Sequence, residues 1–272
     1  MQLEQQNRAK PNSEGWLRVI GLGPGDPALL APAARAALIE AEDIIGYRTY
    51  LQLAGPFRDD QRVHDSDNRV ELERARHAFQ LAAAGRRVVV VSSGDPGVFA
   101  MATAVMEALE HAEDPAWGMV DLQIIPGISA AQAAAARIGA PLGHDFCTLS
   151  LSDNLKPWSV IARRLQLAAA ADLVIALYNP SSRARPHQFS EALTLLREHR
   201  TPETPVILGR SIGRTDEQVI VTTLAEVDPE QVDMRTIIII GSSQTRIIEA
   251  AEGRRWVYTP RWYPEAGQTH HL

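Results

Sequence analysis

Four consecutive valines, Val88 to Val91, run into Ser92-Ser93-Gly94-Asp95-Pro96-Gly97-Val98-Phe99, and an Ala/Met-rich helical pattern follows from Ala100. A strand that is apolar at every position is buried on both faces, as in a parallel sheet covered by helices. A strand that stops on small residues and restarts as a helix is how α/β proteins build ligand sites. Gly94 and Gly97 keep the backbone accessible, and Pro96 fixes a turn. Asp95 is a carboxylate at the C-terminal end of a buried strand, either a helix N-cap or a ligand contact.

The same alternation runs through the first half of the chain. Trp16 to Gly21 reads as a strand, and Pro32 to Ala41 as a helix with Pro32 in its first turn, where a missing N–H costs little. Asp43 to Gly46 is a strand, and Val70 to Ala84 a helix that Gly85 ends. Ala100 to Glu110 is a helix, Asp121 to Ile125 a strand, and Ala130 to Ile138 an Ala-rich helix. This order predicts an α/β fold whose first sheet is mostly parallel. Gly139-Ala140-Pro141-Leu142-Gly143 is the candidate linker.

Beyond it, Phe146 to Leu151, Leu173 to Tyr178, Val206 to Gly209, Val219 to Thr223 and Thr236 to Gly241 read as strands. Only Trp158 to Ala170 and Pro186 to His199 read as helices there, so the second sheet is expected to be mixed. Trp256 to Pro264 is an aromatic segment expected to pack on the body or on a second subunit. The expected organisation is a lead over 1–14, an N-terminal domain over 15–141, a C-terminal domain over 142–260 and a tail over 261–272.

Composition excludes several classes. Lys and Arg number 27 against 33 Asp and Glu, a net charge of -6, which is no footprint for nucleic acid. The single cysteine, Cys147, rules out an intrachain disulfide and a cysteine-rich metal site, and the eight histidines show no ligand spacing. Met1 to Ser13 is polar, without the apolar core of a signal peptide, and no stretch approaches the roughly 20 apolar residues of a membrane span. The expectation is a soluble cytoplasmic protein that binds no membrane, nucleic acid or metal.

The loops at strand ends carry the chemistry. Gly21-Leu22-Gly23-Pro24-Gly25-Asp26-Pro27 invites comparison with dinucleotide-binding turns, but the third glycine is out of place and Pro24 removes a donor where a pyrophosphate needs one. No lysine of the P-loop type follows. Glycine loops at Gly21–Gly25, Gly94–Gly97, Gly127 and Gly209 all end strands, and in wound sheets such ends line one crevice. His144, Asp145, Ser150, Ser152, Asp153, Asn154 and Lys156 crowd around one second-half strand, and Arg183, Arg185 and His187 follow Tyr178-Asn179-Pro180. Several cations near strand ends suit a ligand with many carboxylates. Cys147 lies inside an apolar strand and reads as buried filler.

Together, Val19-Ile20-Gly21-Leu22-Gly23-Pro24-Gly25-Asp26-Pro27, Ser93-Gly94-Asp95-Pro96 and Pro126-Gly127-Ile128-Ser129-Ala130 resemble the tetrapyrrole (corrin/porphyrin) methyltransferases. Gly46-Tyr47-Arg48-Thr49-Tyr50, His144-Asp145-Phe146-Cys147 with Leu149 to Asp153, and Tyr178-Asn179-Pro180 with Ser182 and Arg183 are similar to the branch that methylates precorrin-3B at ring carbon 17. The resemblance implies the two-domain fold of that family, a homodimer, and S-adenosylmethionine in an interdomain cleft. It implies cofactor contacts at Pro24, Gly94, Asp95, Val98, Phe99, Ser129, Ala130, Tyr178, Asn179, Gly209, Arg210, Thr236 and Ile237. The implied reaction is methylation of precorrin-3B with ring contraction to precorrin-4 in cobalamin synthesis, in transient contact with neighbouring pathway enzymes. Contraction moves a proton at the ring-carbon-20 hydroxyl, for which His144, Asp153 and Tyr178 are the candidates. Arg48, Lys156, Arg183 and Arg210 are candidates for the substrate carboxylates. The alternatives are a sibling acting at another ring position or on a cobalt-containing substrate, a nicotinamide dehydrogenase, and a non-catalytic tetrapyrrole carrier. The broken glycine pattern opposes the dehydrogenase, and the cofactor loops oppose pure carriage.

Overall fold

A computed structural model describes residues 15–67 and 70–263; the expected lead over 1–14 and the tail from 264 onward lie outside the described residues. The chain divides into two compact units, Met1–Ile128 and Ser129–Leu272.

The first unit contains β1 (Trp16–Gly21), α1 (Pro32–Glu40), β2 (Asp43–Tyr47), α2 (Arg48–Ala54), β3 (Arg62–Ser66), α3 (Glu71–Ala83), β4 (Arg87–Ser92), α4 (Met101–Glu110) and β5 (Asp121–Ile125). Its five-stranded sheet runs β3-β2-β4-β1-β5 and is parallel throughout. The four valines show why. Val88 and Val90 pack with Phe79 and Val105 on one face, while Val89 and Val91 pack with Ala37 and Ile44 on the other. All four are fully buried, as the period of two along a strand demands when helices cover both faces. The chain leaves β1 toward β2 on one side and leaves β4 toward β5 on the other, so the topological switch point lies between these neighbours.

Two elements of this unit give no sequence signal. β3 reads Arg-Val-His-Asp-Ser, with one apolar residue, because an edge strand buries little. α2 has seven residues and buries only Leu51.

The second unit holds α5 (Ala130–Ile138), β6 (Gly139–Ala140), β7 (Phe146–Ser150), α6 (Trp158–Ala170), β8 (Val174–Tyr178), α7 (Gln188–Arg197), β9 (Pro205–Arg210), β10 (Gln218–Thr223), β11 (Thr236–Ile240), β12 (Arg246–Glu249) and β13 (Arg255–Tyr258). Its larger sheet runs β10-β9-β11-β8-β7. β7 and β8 are parallel, whereas β11 is antiparallel to both β8 and β9, so the sheet is mixed. Ile238 and Ile240 enter a core with Ile175, Leu177, Leu165 and Leu193.

The candidate linker is structured. Its Gly139–Ala140 pairs with Val257–Tyr258, which places it within the second unit. Gly139 has φ +127°, and a Cβ there would sit 2.5 Å from the Val257 carbonyl oxygen, so only glycine fits. The aromatic segment likewise contains a strand: Trp256 lies in β13, opposite Ile248 of β12.

Candidate functional site

In the first unit, the loops after β1, β4 and β5 meet backbone to backbone. Gly23 and Gly94 exchange two N–H···O bonds, of 3.1 and 2.8 Å. A Cβ on Gly21 would lie 2.5 Å from the Gly94 oxygen, and one on Gly127 would lie 2.3 Å from the same atom. Asp95 fastens this contact. Its Oδ1 accepts from the Gly97 N–H at 2.8 Å, and its Oδ2 accepts from the Gly127 N–H at 3.0 Å. It does not cap α4, whose N-cap is Ala100. Pro24 is buried and Val98 half-buried, while Phe99 is 47% exposed and held at φ +53°, a region that costs a non-glycine residue energy.

In the second unit the antiparallel β11 decides the geometry. Its first residue, Thr236, is in register with Arg210, the last residue of β9, and Ile237 with Gly209. β8 also runs antiparallel to β11, so Tyr178 and Asn179 leave the sheet at that same edge. Gly209 lets α5 approach, since a Cβ there would lie 3.0 Å from the Ala134 Cβ. Ser129 and Gln132 form a capping box at the start of α5, and the Tyr178 hydroxyl accepts from the Ala131 N–H at 3.1 Å. Thus Ser129, Ala130, Tyr178, Asn179, Gly209, Arg210, Thr236 and Ile237 are gathered along one sheet edge. Asn179 and Ser211 carry φ of +52° and +50° directly after β8 and β9.

The three candidates for proton transfer are not gathered. Ser150 and Tyr178 are in register at one end of β7, and Asp153 follows that end. His144 precedes the other end, where its Nδ1 accepts from the Asp145 N–H at 2.7 Å and its ring meets Tyr263 edge-on at 5.5 Å. Asp153 has company that the sequence grouped only loosely. The Gln188 Nε2 donates to its Oδ2 at 3.2 Å, and the Arg185 Nε lies 3.8 Å from its Oδ1. Gln188 carried no signal, because it is the first residue of α7, ahead of the apolar positions Phe189, Ala192, Leu193 and Leu196.

The candidate substrate cations differ in their surroundings. Arg48 is exposed and pairs with Asp65 at 2.9 Å, beside a groove of about 730 Å³ lined by Leu51, Gln52, Phe57 and Val63. That groove flanks β3, at the sheet margin. Arg210 is already held by Asp233 at 3.1 Å and Asp216 at 3.7 Å. Burial, and then the Arg164 charge, push the Lys156 ammonium below its ordinary value. Arg183 is exposed. Burial raises the Cys147 thiol, the opposite of what a nucleophile needs. Among the described residues no His, Cys, Asp and Glu group could hold a metal ion.

Residues 17–228 match the profile of the tetrapyrrole (corrin/porphyrin) methylases. A precorrin-3B C(17)-methyltransferase of a Sinorhizobium species is 53% identical over 255 residues, covering 93% of this chain and 99% of the relative. A probable cobalt-factor III C(17)-methyltransferase of Salmonella typhimurium is 41% identical over 247 residues, 91% of this chain and 99% of the relative. The crystal structure of the methyltransferase CobJ is similar with a TM-score of 0.85 at 50% identity, covering 90% of this chain and 100% of that one.

Proposed function

The chain belongs to the tetrapyrrole (corrin/porphyrin) methylase family, and from that premise we propose that it methylates ring carbon 17 of precorrin-3B, with ring contraction to precorrin-4, in cobalamin biosynthesis. The observation that carries this reading is the 53% identity along nearly the whole length of a precorrin-3B C(17)-methyltransferase. The lower identity of 41% to a cobalt-factor III relative favours the metal-free substrate over the cobalt-containing one.

S-adenosylmethionine supplies a methyl group already activated on a sulfonium. The residues fit it. Glycine backbone bare of side chains after β1 and β4, beside the exposed ring of Phe99, suits a ligand that is part polar and part apolar. The reading gives Pro24, Gly94, Asp95, Val98 and Phe99 to its amino-acid and ribose side. It gives Tyr178, Asn179, Gly209, Arg210, Thr236 and Ile237 to the adenine, with Ser129 and Ala130 nearby. Asp95 contributes by fixing the loop, since Gly97 and Gly127 occupy both its oxygens.

Arg48, Lys156 and Arg183 receive substrate carboxylates, while Arg210, held by two aspartates, acts from a fixed position. Asp153 and Tyr178 are the acid–base pair for contraction, both at the end of the parallel pair β7 and β8. His144 lies at the other end of β7, apart from this pair. No helix of the described residues is long and apolar enough to cross a membrane. The reading includes a cytoplasmic homodimer in transient contact with neighbouring pathway enzymes, and light scattering reads its mass.

The test is to incubate the protein with labelled S-adenosylmethionine and precorrin-3B and to follow product mass and absorbance. The expected result is one methyl group incorporated and the spectrum of a contracted ring. Transfer only to another precorrin, or only to the cobalt-containing counterpart, moves the chain to a sibling activity. Absence of S-adenosylhomocysteine binding overturns the cofactor.

A further inference from the structure

Two buried polar atoms beside Asp153 lack partners: Arg185 Nη1, a donor, and Gln188 Oε1, an acceptor. Both side chains are committed elsewhere. The Arg185 side chain is only 10% exposed, with its Nε 3.8 Å from Asp153 Oδ1 and its Nη2 against the soft Met234 sulfur at 3.8 Å. Its loop is closed by reciprocal Ser182 and Arg185 backbone bonds of 3.1 and 3.0 Å. The Gln188 Nε2 points at Asp153 Oδ2, 3.2 Å away. Turning that amide over would set an oxygen against a carboxylate, so Asp153 fixes its orientation and leaves Oε1 as an acceptor. Arg200 has an orphan Nε too, but its Nη atoms are spent on the Ala169 and Leu173 carbonyls and on Asp172, a closed structural clamp. Asp153, by contrast, is 32% exposed, so one member of its cluster reaches the surface while the two orphan atoms lie buried behind it.

An unmatched donor and an unmatched acceptor flank one carboxylate. A ligand carboxylate would match the donor but offer nothing to Gln188 Oε1, and it would crowd Asp153 with like charge. A hydroxyl both accepts and donates. We propose that Asp153, Arg185 and Gln188 form a receptor for a neutral hydroxyl group of the substrate, Arg185 Nη1 donating to its oxygen and Gln188 Oε1 accepting a hydrogen bond from its O–H. This deepens the reading above and rests on it: the substrate there is a tetrapyrrole carrying a hydroxyl at ring carbon 20. Arg185 and Gln188 thereby select hydroxylated rings over unhydroxylated ones.

Absorbance titration tests this with the intact protein and two probes, the ring-hydroxylated tetrapyrrole and the same tetrapyrrole without that hydroxyl. Wild type should prefer the hydroxylated ring by about ten-fold or more, because the analogue leaves both orphan atoms unmatched. Gln188→Met and Arg185→Met should erase most of that preference. They should leave affinity for the unhydroxylated ring and the melting temperature nearly unchanged. Arg185→Lys, which retains a donor, should keep more of the preference than Arg185→Met does. Equal wild-type affinity for the two rings overturns the proposal, as does a preference that survives in both methionine variants, since water alone then fills the site. Binding is read separately from methyl transfer, so a wild type that discriminates but does not methylate sinks the activity and keeps the receptor. A wild type that binds neither ring overturns both.

Discussion

Asp43 and Asp153 are two carboxylates placed at opposite kinds of strand end. Asp43 opens β2 at the N-terminal edge of the first sheet and has no exposed side-chain surface. His64 Nε2 lies 2.8 Å from its Oδ1, and Arg86 Nε donates to its Oδ2. Burial works against its ionisation, but hydrogen bonds from Arg86 and His64 outweigh that and hold its carboxyl below the usual range. Asp153 follows the C-terminal end of β7, stays partly open, and has neighbours with unmatched atoms. Each buried unmatched group costs about 1–3 kcal/mol in the free protein. The difference separates roles: the satisfied cluster holds the fold, and the unsatisfied one waits for a ligand at the edge where α/β sheets bind them.

Exchanging the charge at each site should split activity from stability. Asp153→Asn is expected to lower turnover by about a hundred-fold or more, the usual contribution of a general acid or base. Its stability cost should be the smaller of the two, about 1–2 kcal/mol, since Asn keeps an acceptor for Gln188 while Arg185 loses its counter-charge. Turnover of the purified variant checks this, and unchanged turnover removes Asp153 from the reaction. Asp43→Ala should do the reverse. It strands Arg86 and His64 and should cost about 3 kcal/mol, seen as a lowered urea midpoint, while turnover per folded molecule stays within about two-fold. A loss of turnover without a loss of stability would erase the contrast.

Legibility follows the same division. Val88 to Val91 announced a doubly covered parallel strand because burial on both faces leaves an unbroken apolar run. The isoleucines of β11 likewise announced a buried strand, though an antiparallel one, and the mixed second sheet followed from strands without intervening helices. β3, β6 and β12 were silent, since edge and two-residue strands bury too little to pattern the sequence. At the site, Asp95 was readable as important but not as a clasp, because its second partner, Gly127, is 32 residues away. Gln188 was unreadable for a related reason. Its meaning depends on which atom Asp153 occupies, a distance of 35 residues in sequence.

The glycine contact gives a smaller effect of a different kind. Gly127→Ala places a methyl 2.3 Å from the Gly94 oxygen and 2.9 Å from Gly21. Backbone on both sides cannot give way as a side chain would, so the loops after β1, β4 and β5 must part. The expected cost is about 2 kcal/mol of stability together with weakened S-adenosylhomocysteine binding by calorimetry. Gly85→Ala, at φ +86° with nothing within 4 Å, supplies the control: strain of about 1 kcal/mol and unchanged binding. If both variants bind equally well, the glycine contact does not shape the cofactor loop.

The smallest effect lies one step beyond Asp43. His77 Nε2 is 3.2 Å from His64 Nδ1, and the rings meet edge-on at 4.9 Å. One proton fills that bond, while His64 Nε2 faces the Asp43 carboxylate. Burial, and then the neighbouring His64, push the His77 imidazole below its ordinary value; Asp43 and Gln80 pull the other way and lose. The folded protein therefore binds this proton less readily than the unfolded chain does. The stability involved is complete above the unfolded value of about 6.5 and is lost as pH falls through the lower folded value. His77→Phe keeps a ring against His64 and removes the titration. Urea unfolding between pH 7 and 5 should show wild type losing stability that the variant retains, while the acid loss from Asp43, below about pH 4, remains in both. Parallel curves for the two proteins across that window would mean that the pair does not titrate on folding, and that the closed cluster around Asp43 owes its sensitivity to the carboxylate alone.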